Sequence, residues 1–167
     1  MKLEEFNLQS PMKARSDLLK CCGSTAWVDK LIKHFPYSSI ESLKLISDKC
    51  WYSCTKNDFL EAFSHHPKIG DQTVSDKKHT STTEWAQQEQ SAVKDAEQNI
   101  LSDLSKANLI YEKKFGYIFI ICATGKTAIE MLDLFTKRLN NELEEELIIA
   151  INEQNKITHL RINKLFI

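Results

Sequence analysis

Two adjacent histidines followed by a proline are the residues of this sequence best suited to move a proton. They lie at positions 65 and 66 of the segment SHHPKIGD, which covers residues 64–71. Pro67 fixes its own φ and biases His66 toward extended backbone, so the imidazole is held in one direction, as a general acid or base requires. The same spacing fits a solvated histidine pair or a histidine that caps the preceding helix, and the sequence alone leaves these alternatives open.

A carboxylate and an amide on the following helix form the second candidate. Trp85, Ala86 and Val93 predict an apolar stripe, and Glu89 lies at its edge, four residues after Trp85. A partly buried carboxylate at that place can orient a nearby imidazole and change its pKa. Glu89 and the adjacent Gln90 are also typical of a solvated helix face.

Arginine occurs at only three positions, Arg15, Arg138 and Arg161. Arg161 lies near the end of the predicted terminal helix. Its guanidinium group is suited to hold a carboxylate through two parallel hydrogen bonds. A surface ion pair, or an interaction with the helix dipole, is the alternative.

A metal site is the rival interpretation of the histidine pair. Together with His79 and Asp71, the two histidines could form the centre of a metal-dependent hydrolase. No predicted helix carries histidines at positions i and i+4, so the pattern lacks a recognisable ligand spacing.

The triplet Gly125-Lys126-Thr127 is similar to the end of a phosphate-binding P-loop. That loop requires glycine five residues before Gly125, where this sequence has Ile120. No predicted sheet is present to support such a loop, so nucleotide hydrolysis is not favoured.

Helical periodicity dominates the elements that must position these residues. Glycine (4) and proline (3) are scarce among the 167 residues, and hydroxyl side chains at Ser24, Ser38 or Ser39, Thr55 and Thr127 predict helix starts. A loop is expected over residues 64–80, and a helix from Ser81 to about Gln98. The run Tyr117–Cys122 predicts a buried extended or irregular segment. We therefore expect one all-α domain over residues 1–167, a helical bundle of about seven to eight helices.

The last predicted helix runs from about Asn141 to Leu165. Its apolar residues predict a buried stripe that consists of Leu143, Leu147, Ile151, Ile157, Leu160 and Leu165.

Charge and cysteine content exclude several functional classes. The 22 basic and 23 acidic residues give a net charge of -1, which argues against nucleic acid or an anionic membrane as partner. The five cysteines contain no C-x-x-C pair, so neither a disulfide framework nor a zinc knuckle is predicted. The acidic N-terminus is unlike a signal peptide, and no apolar run reaches the length of about 18 residues needed to span a bilayer. We expect a cytoplasmic protein.

Taken together, these motifs resemble the 2-oxo-4-hydroxy-4-carboxy-5-ureidoimidazoline (OHCU) decarboxylase family of urate degradation. The likeness extends from Phe6 to Leu165. The residues that carry it are His66–Gly70, Glu89-Gln90, Phe115–Ala123 and Glu153–Ile162.

The resemblance implies an all-helical homodimer that uses no cofactor or metal. Such a lyase acts on a small-molecule substrate of purine metabolism and releases carbon dioxide to form (S)-allantoin. It implies that His66 is the catalytic acid or base and that Glu89 assists it. Substrate binding is implied for Pro67, Gln90, Ile120, Ile121, Cys122, Ala123, Thr124 and Arg161, with the backbone of Ile120–Thr124 binding the ring and Arg161 binding the carboxylate.

The sequence departs from the family pattern Ser-x-x-Glu-Gln at Ala86, where a hydroxyl group is missing. Thr83 or Ser81 could supply that group. The alternative is a catalytically impaired helical binding module that keeps the same fold.

Overall fold

The computed structural model describes residues 1–70, 85–86, 88–94 and 96–166. Its α-helices are α1 (Leu3–Asn7), α2 (Pro11–Cys22), α3 (Thr25–Leu31), α4 (Ile40–Tyr52), α5 (Lys56–Ser64), α6 (Ser91–Lys94), α7 (Gln98–Phe115), α8 (Ala128–Arg138) and α9 (Leu143–Leu165), and a 3₁₀ turn covers Ile32–His34. These described ranges contain no β-strand, which confirms the all-α prediction. Seven of the α-helices within them have seven residues or more, in agreement with the predicted seven to eight.

Helix starts coincide with the predicted hydroxyl side chains. The hydroxyl group of Ser24 accepts a hydrogen bond from the N–H of Trp27 at 3.3 Å. Thr127 and Glu130 form a capping box, in which the Glu130 carboxylate accepts from the Thr127 N–H at 2.7 Å. Each such contact satisfies an N–H group that the first helical turn leaves without a partner. The other N-caps of this kind are Ser10, Ser39 and Thr55.

Two helices end at a glycine in the left-handed conformation. Gly23 follows α2 with φ +81°, and Gly116 follows α7 with φ +80°. The two positions differ in the space around them. A Cβ atom on Gly23 would lie 3.0 Å from the Cβ of His65, whereas nothing lies within 4 Å of a Cβ on Gly116.

We expect Gly23→Ala to destabilise the fold more than Gly116→Ala does. Both substitutions incur the left-handed backbone penalty of about 1–2 kcal/mol. Only the alanine at position 23 must also displace His65. Urea unfolding of the two variants measures the difference in the free energy of unfolding, and equal losses would show that His65 moves aside without cost.

The chain forms two compact units, the first of which comprises Met1–His65 and Gln154–Ile167. Trp27 and Trp51 are buried at its core, and the ring of Trp51 lies 4.6 Å from that of Phe59 in an edge-on contact. The ring of Phe6 contacts three further aromatic side chains, Phe35, Tyr37 and Phe166. Large aromatic surfaces therefore hold the short N-terminal helices of this unit.

The second unit comprises His66–Glu153 and is built around Tyr111 of α7. The ring centroid of Tyr111 lies 4.5 to 5.5 Å from those of Phe115, Phe119 and Phe135. Ile69, three residues after His66, is 4% exposed and belongs to the same apolar cluster. The segment that carries His66 is therefore anchored in the core of this unit.

The predicted helix from Ser81 to Gln98 is wrong in its last part. Residues 81–84 lie outside the described residues, but Ala96 and Glu97 are not helical and α7 begins at Gln98. The side chain of Asn99 accepts a hydrogen bond from the Ile100 N–H at 2.8 Å. Short polar side chains that bind the adjacent backbone favour the start of a helix over its interior.

The predicted apolar stripe of α9 is also wrong in part. Leu143 is 58% exposed, whereas Glu146 is fully buried. The buried positions of this helix are Glu146, Ala150, Gln154, Ile157, Thr158, Arg161 and Ile162. Because four of them are polar, hydrophobic periodicity alone misplaces the buried face. Among the residues that the structure describes, no helix combines the length and the apolar composition that crossing a membrane requires.

Candidate active site

The histidine pair lies where α5 ends. His65 is the C-cap residue of this helix, and its N–H donates to the carbonyl of Ala62 at 3.2 Å. The His65 side chain is exposed, whereas His66 and Pro67 are half-buried and lie outside any helix. The alternative that a histidine caps the preceding helix therefore applies to His65. His66, directly before Pro67, has the more buried imidazole.

The segment after Pro67 is held to α7 by two contacts. Lys68 forms an ion pair with Glu112 at 2.8 Å. The carboxamide of Asn108, which is 5% exposed, donates to the carbonyl of Ile69 at 2.9 Å. These contacts fix the backbone within three residues of His66, as a directed proton transfer requires.

Gln90 contacts the His66–Gly70 segment at Gly70, its last residue. The Gly70 N–H donates to Oε1 of Gln90 at 3.4 Å, and Gly70 adopts φ +78°. Glu89, the residue before Gln90, is helical and half-buried, in agreement with its predicted place at the edge of the apolar stripe. The sequence did not predict that the oxygen of Gln90 is used by the protein itself.

Ala86 is buried, with 2% exposure. It supplies only a methyl group where the resembled family has a serine hydroxyl. Thr83 and Ser81, the proposed substitutes for that hydroxyl, lie outside the described residues.

The segment 118–123 connects α7 to the turn before α8 without helix or strand. Its residues Phe119, Ile120, Ile121 and Ala123 are exposed by 5% or less, which confirms the predicted buried irregular segment. Buried backbone N–H and C=O groups need hydrogen-bond partners. Here most of those partners are charged side chains.

Three charged side chains bind the backbone of this segment. Arg138 donates to the carbonyl of Ile120 at 2.8 Å. Glu153 accepts from the N–H of Cys122 at 2.7 Å, and the Lys126 amino group donates to the carbonyl of the same residue at 2.9 Å. Both backbone groups of Cys122 are therefore occupied.

The backbone of Ile121 differs from that of Cys122. Within the part of the chain that the structure describes, neither its N–H nor its carbonyl has a hydrogen-bond partner, although the residue is 5% exposed. The N–H of Ala123 likewise has no hydrogen-bond partner among the described residues. Buried backbone groups without a protein partner need a water molecule or a ligand to bind them.

The Gly125-Lys126 pair belongs to a tight turn. The N–H of Lys126 donates to the carbonyl of Ala123 at 3.0 Å, and Gly125 has φ +80° at the third position, as in type II turns. Thr127 then caps α8. The triplet that is similar to a P-loop is thus a turn followed by a helix cap.

Burial raises the pKa of the Cys122 thiol, and the Glu153 carboxylate raises it further. Glu89 adds to this effect, whereas the Lys126 ammonium opposes it. The thiol therefore stays protonated at neutral pH.

A buried ionic cluster supports this segment, and the sequence did not predict it. Arg138 donates through Nε to the Glu146 carboxylate at 2.8 Å, with the two residues 8% and 0% exposed. The hydroxyl group of Tyr111 donates to the same carboxylate, and Asn141 donates to its other oxygen at 2.8 Å. Arginine is scarce in this sequence, but scarcity alone does not distinguish the role of Arg138 from that of Arg161.

Arg161 belongs to the other compact unit. Its side chain is 2% exposed, so the alternative of a surface ion pair is wrong. The guanidinium group lowers the pKa of the neighbouring Cys21 thiol, but burial dominates and raises that pKa to about 12.

The metal site proposed as an alternative would use His65, His66, Asp71 and His79 as ligands. The last two lie outside the residues that the structure describes. Across residues 1–70 and the described residues from 85 onward, no three His, Cys, Asp or Glu side chains are grouped to hold a metal ion.

Comparison with known sequences assigns the family. The sequence model of the OHCU decarboxylases matches residues 7–163. The chain belongs to the OHCU decarboxylase family. The matched range includes every residue named above as a candidate for the site.

Two relatives share a substantial part of their sequence with this chain. The "Uric acid degradation bifunctional protein TTL" of Arabidopsis thaliana is 40% identical over 147 residues, which is 87% of this chain and 45% of that protein. The 2-oxo-4-hydroxy-4-carboxy-5-ureidoimidazoline decarboxylase of Xenopus laevis is 45% identical over 60 residues, 36% of this chain and 34% of its own length. The chain thus spans less than half of the Arabidopsis protein that it matches.

A solved structure shares the fold over most of both chains. The crystal structure described as "OHCU decarboxylase in the presence of (S)-allantoin" matches with a TM-score of 0.76 and 35% identity, covering 90% of this chain and 97% of that one. This OHCU decarboxylase therefore has the same helical architecture.

Proposed function

We propose that this protein decarboxylates 2-oxo-4-hydroxy-4-carboxy-5-ureidoimidazoline to (S)-allantoin without a cofactor. One observation carries the proposal. The His66 segment, Glu89-Gln90 and the 120–124 backbone segment all lie in one compact unit, and the N–H of Gly70 donates to Gln90 within it. Membership of the OHCU decarboxylase family and the similarity to a structure obtained with (S)-allantoin support the same reaction.

The reaction itself requires little of the protein. The C–C bond to the carboxylate breaks, carbon dioxide leaves, and the bonding electron pair is delocalised onto the adjoining C=N group of the ring. The ring hydroxyl becomes a carbonyl as it loses its proton, and the neighbouring ring carbon gains a proton. The ring nitrogen that received the electron pair takes one further proton from solvent, so the product is neutral. The enzyme must bind the carboxylate, exclude water and move these protons on one face of the ring.

His66 is the group proposed to move the proton. A placed imidazole can accept the hydroxyl proton and return one to carbon at neutral pH. The Pro67 ring and the anchored residues 68–70 limit its directions. Glu89 is the carboxylate proposed to orient it, and Pro67 would also line the pocket.

Gln90 and the 120–124 backbone segment are proposed to recognise the ring and the ureido group. Because Oε1 of Gln90 accepts from Gly70, its amino group remains to donate to a substrate carbonyl. The N–H and carbonyl of Ile121 offer one donor and one acceptor to a cyclic amide. Arg161 is proposed to bind the carboxylate that is lost.

The alternative of an impaired binding module rests on Ala86. If the missing hydroxyl is essential, Ala86→Ser would create activity that the natural chain lacks. If the proposal holds, the natural chain is active and the serine variant changes mainly the KM.

We further propose a cytoplasmic homodimer. All five cysteines are free thiols, as is common in reducing compartments. Leu109 and Ile110, adjacent on α7, are 66% and 57% exposed, and contiguous exposed apolar side chains are typical of contact surfaces. Light scattering during gel filtration measures the oligomeric state, and a monomer at every concentration would contradict the dimer.

The release of carbon dioxide tests the proposed reaction. Substrate generated freshly by oxidation and hydrolysis of urate, labelled with ¹³C in its carboxylate, should lose ¹³CO₂ much faster with the protein than without it. A chelator should leave this rate unchanged. Loss of activity on chelation would favour the metal alternative, and equal rates with and without protein would remove the enzyme proposal.

A further inference from the structure

Glu153 and Lys126 bind the two backbone groups of Cys122. Each of these groups shares a peptide unit with a backbone group of Ile121 or Ala123 that has no partner among the described residues. The N–H of Cys122, bound by Glu153 at 2.7 Å, belongs to the same peptide as the carbonyl of Ile121. The carbonyl of Cys122, bound by Lys126 at 2.9 Å, belongs to the same peptide as the N–H of Ala123.

A peptide group is conjugated, so a charge at one end changes the other end. A carboxylate on the N–H increases the negative charge on the carbonyl oxygen, and an ammonium on the carbonyl makes the N–H a stronger donor. Glu153 therefore strengthens the Ile121 carbonyl as an acceptor. Lys126 strengthens the Ala123 N–H as a donor.

The residues that carry the open groups are buried, so bulk water screens this polarisation only weakly. Ile121 and Ala123 are 5% and 4% exposed, and within the described residues neither the Ile121 carbonyl nor the Ala123 N–H has a hydrogen-bond partner. Electrostatic effects on a hydrogen bond are larger in such surroundings than in water.

We propose that Glu153 and Lys126 are positioning residues that polarise the Ile121 carbonyl and the Ala123 N–H for recognition of a cyclic ureide ring. The preferred ligand carries an N–H donor and a carbonyl acceptor on one ring, as hydantoin-like molecules do. This inference rests on the proposed function for its substrate, and it assigns to Glu153 and Lys126 a role in affinity rather than in proton transfer.

The test compares KM with kcat in variants that remove each charge. Glu153→Gln keeps an oxygen acceptor and loses the charge, and Lys126→Met loses the ammonium group. We expect each variant to raise KM about five- to tenfold, the scale on which charged and neutral hydrogen bonds differ, with kcat nearly unchanged. Lys126→Arg, which keeps the charge, should restore most of the affinity.

Exposed residues on neighbouring helices provide the matched controls. Glu145→Gln on α9 and Lys137→Met on α8 remove the same charges from exposed positions and should leave KM unchanged. Calorimetric titration with hydantoin supplies a second readout that needs no turnover, and the affinity should fall in the two test variants only.

The possible outcomes separate this inference from the proposed function. An active wild-type protein whose KM and hydantoin affinity do not change in Glu153→Gln and Lys126→Met would overturn the polarisation. A fall in kcat with unchanged KM would overturn it as well. An inactive wild-type protein would overturn the proposed function, while the hydantoin titration would still decide whether the two charges govern binding.

Discussion

Replacing His66 with glutamine is expected to lower kcat by about 10²–10⁴-fold, the usual contribution of a placed general acid or base. Glutamine keeps a polar side chain of similar length but cannot exchange a proton near neutral pH. The half-buried site and the contacts of Lys68 and Ile69 with α7 remain, so the fold should persist. The measurement is kcat in the allantoin-forming assay, with helical content followed by circular dichroism.

His65 provides the control for this substitution. Its side chain is exposed and lies against Gly23 at the end of α2, so His65→Gln should leave kcat within the same order of magnitude. A His66→Gln variant with wild-type kcat would show that the catalyst is misassigned. A large loss in His65→Gln alone would transfer the role to the first histidine.

Replacing Arg138 with methionine is expected to lower the free energy of unfolding by about 3–5 kcal/mol, the cost of breaking a buried ion pair at one partner. Glu146 would keep its charge at a position that is fully buried. The carbonyl of Ile120 would also lose the donor that lies 2.8 Å away. Urea unfolding measures the loss, and the disturbed backbone at Ile120 should raise KM in the molecules that remain folded.

Two further variants make this prediction specific. Lys137→Met, at the exposed neighbouring position, should change the free energy of unfolding by less than about 0.5 kcal/mol. The double variant Arg138→Met/Glu146→Leu should lose less stability than the sum of the single losses, because no uncompensated charge stays buried. A loss below about 1 kcal/mol in Arg138→Met would contradict the structural role of the cluster.

The helix boundaries were predictable because they depend on local chemistry. Ser24, Thr55 and Thr127 cap helices through their own hydroxyl groups or through a carboxylate three residues on. Gly23 and Gly116 end helices because they adopt positive φ without strain. These interactions span a few residues, so the sequence pattern contains them.

The buried face of α9 was not predictable from its apolar residues. Glu146 is buried because Arg138, on the preceding helix, and Tyr111, 35 residues earlier in the chain, bind its carboxylate. Arg161 is buried as well. A pattern method assigns charged residues to the surface, since it cannot include partners that only the tertiary fold supplies.

The candidate site also contains some residues that the sequence pattern predicts and others that only the tertiary fold shows. The His66-Pro67 motif and Glu89-Gln90 stand out by residue type, whereas Glu153 and Lys126 resemble ordinary surface charges. Their contacts with Cys122 connect positions up to 31 residues apart, and only the folded chain shows that these charges bind backbone groups. The roles of His66, Glu89 and Arg161 stay predictions, and His66→Gln tests the first of them.

The handedness of the allantoin produced is the most direct test of the proposed reaction, since spontaneous decay of the substrate has no reason to favour one face. Freshly generated substrate is allowed to react with and without the protein, and the circular dichroism of the product is recorded. The proposal predicts rapid accumulation of (S)-allantoin with the protein and its loss in His66→Gln. Racemic allantoin at the uncatalysed rate in the presence of the protein would contradict it.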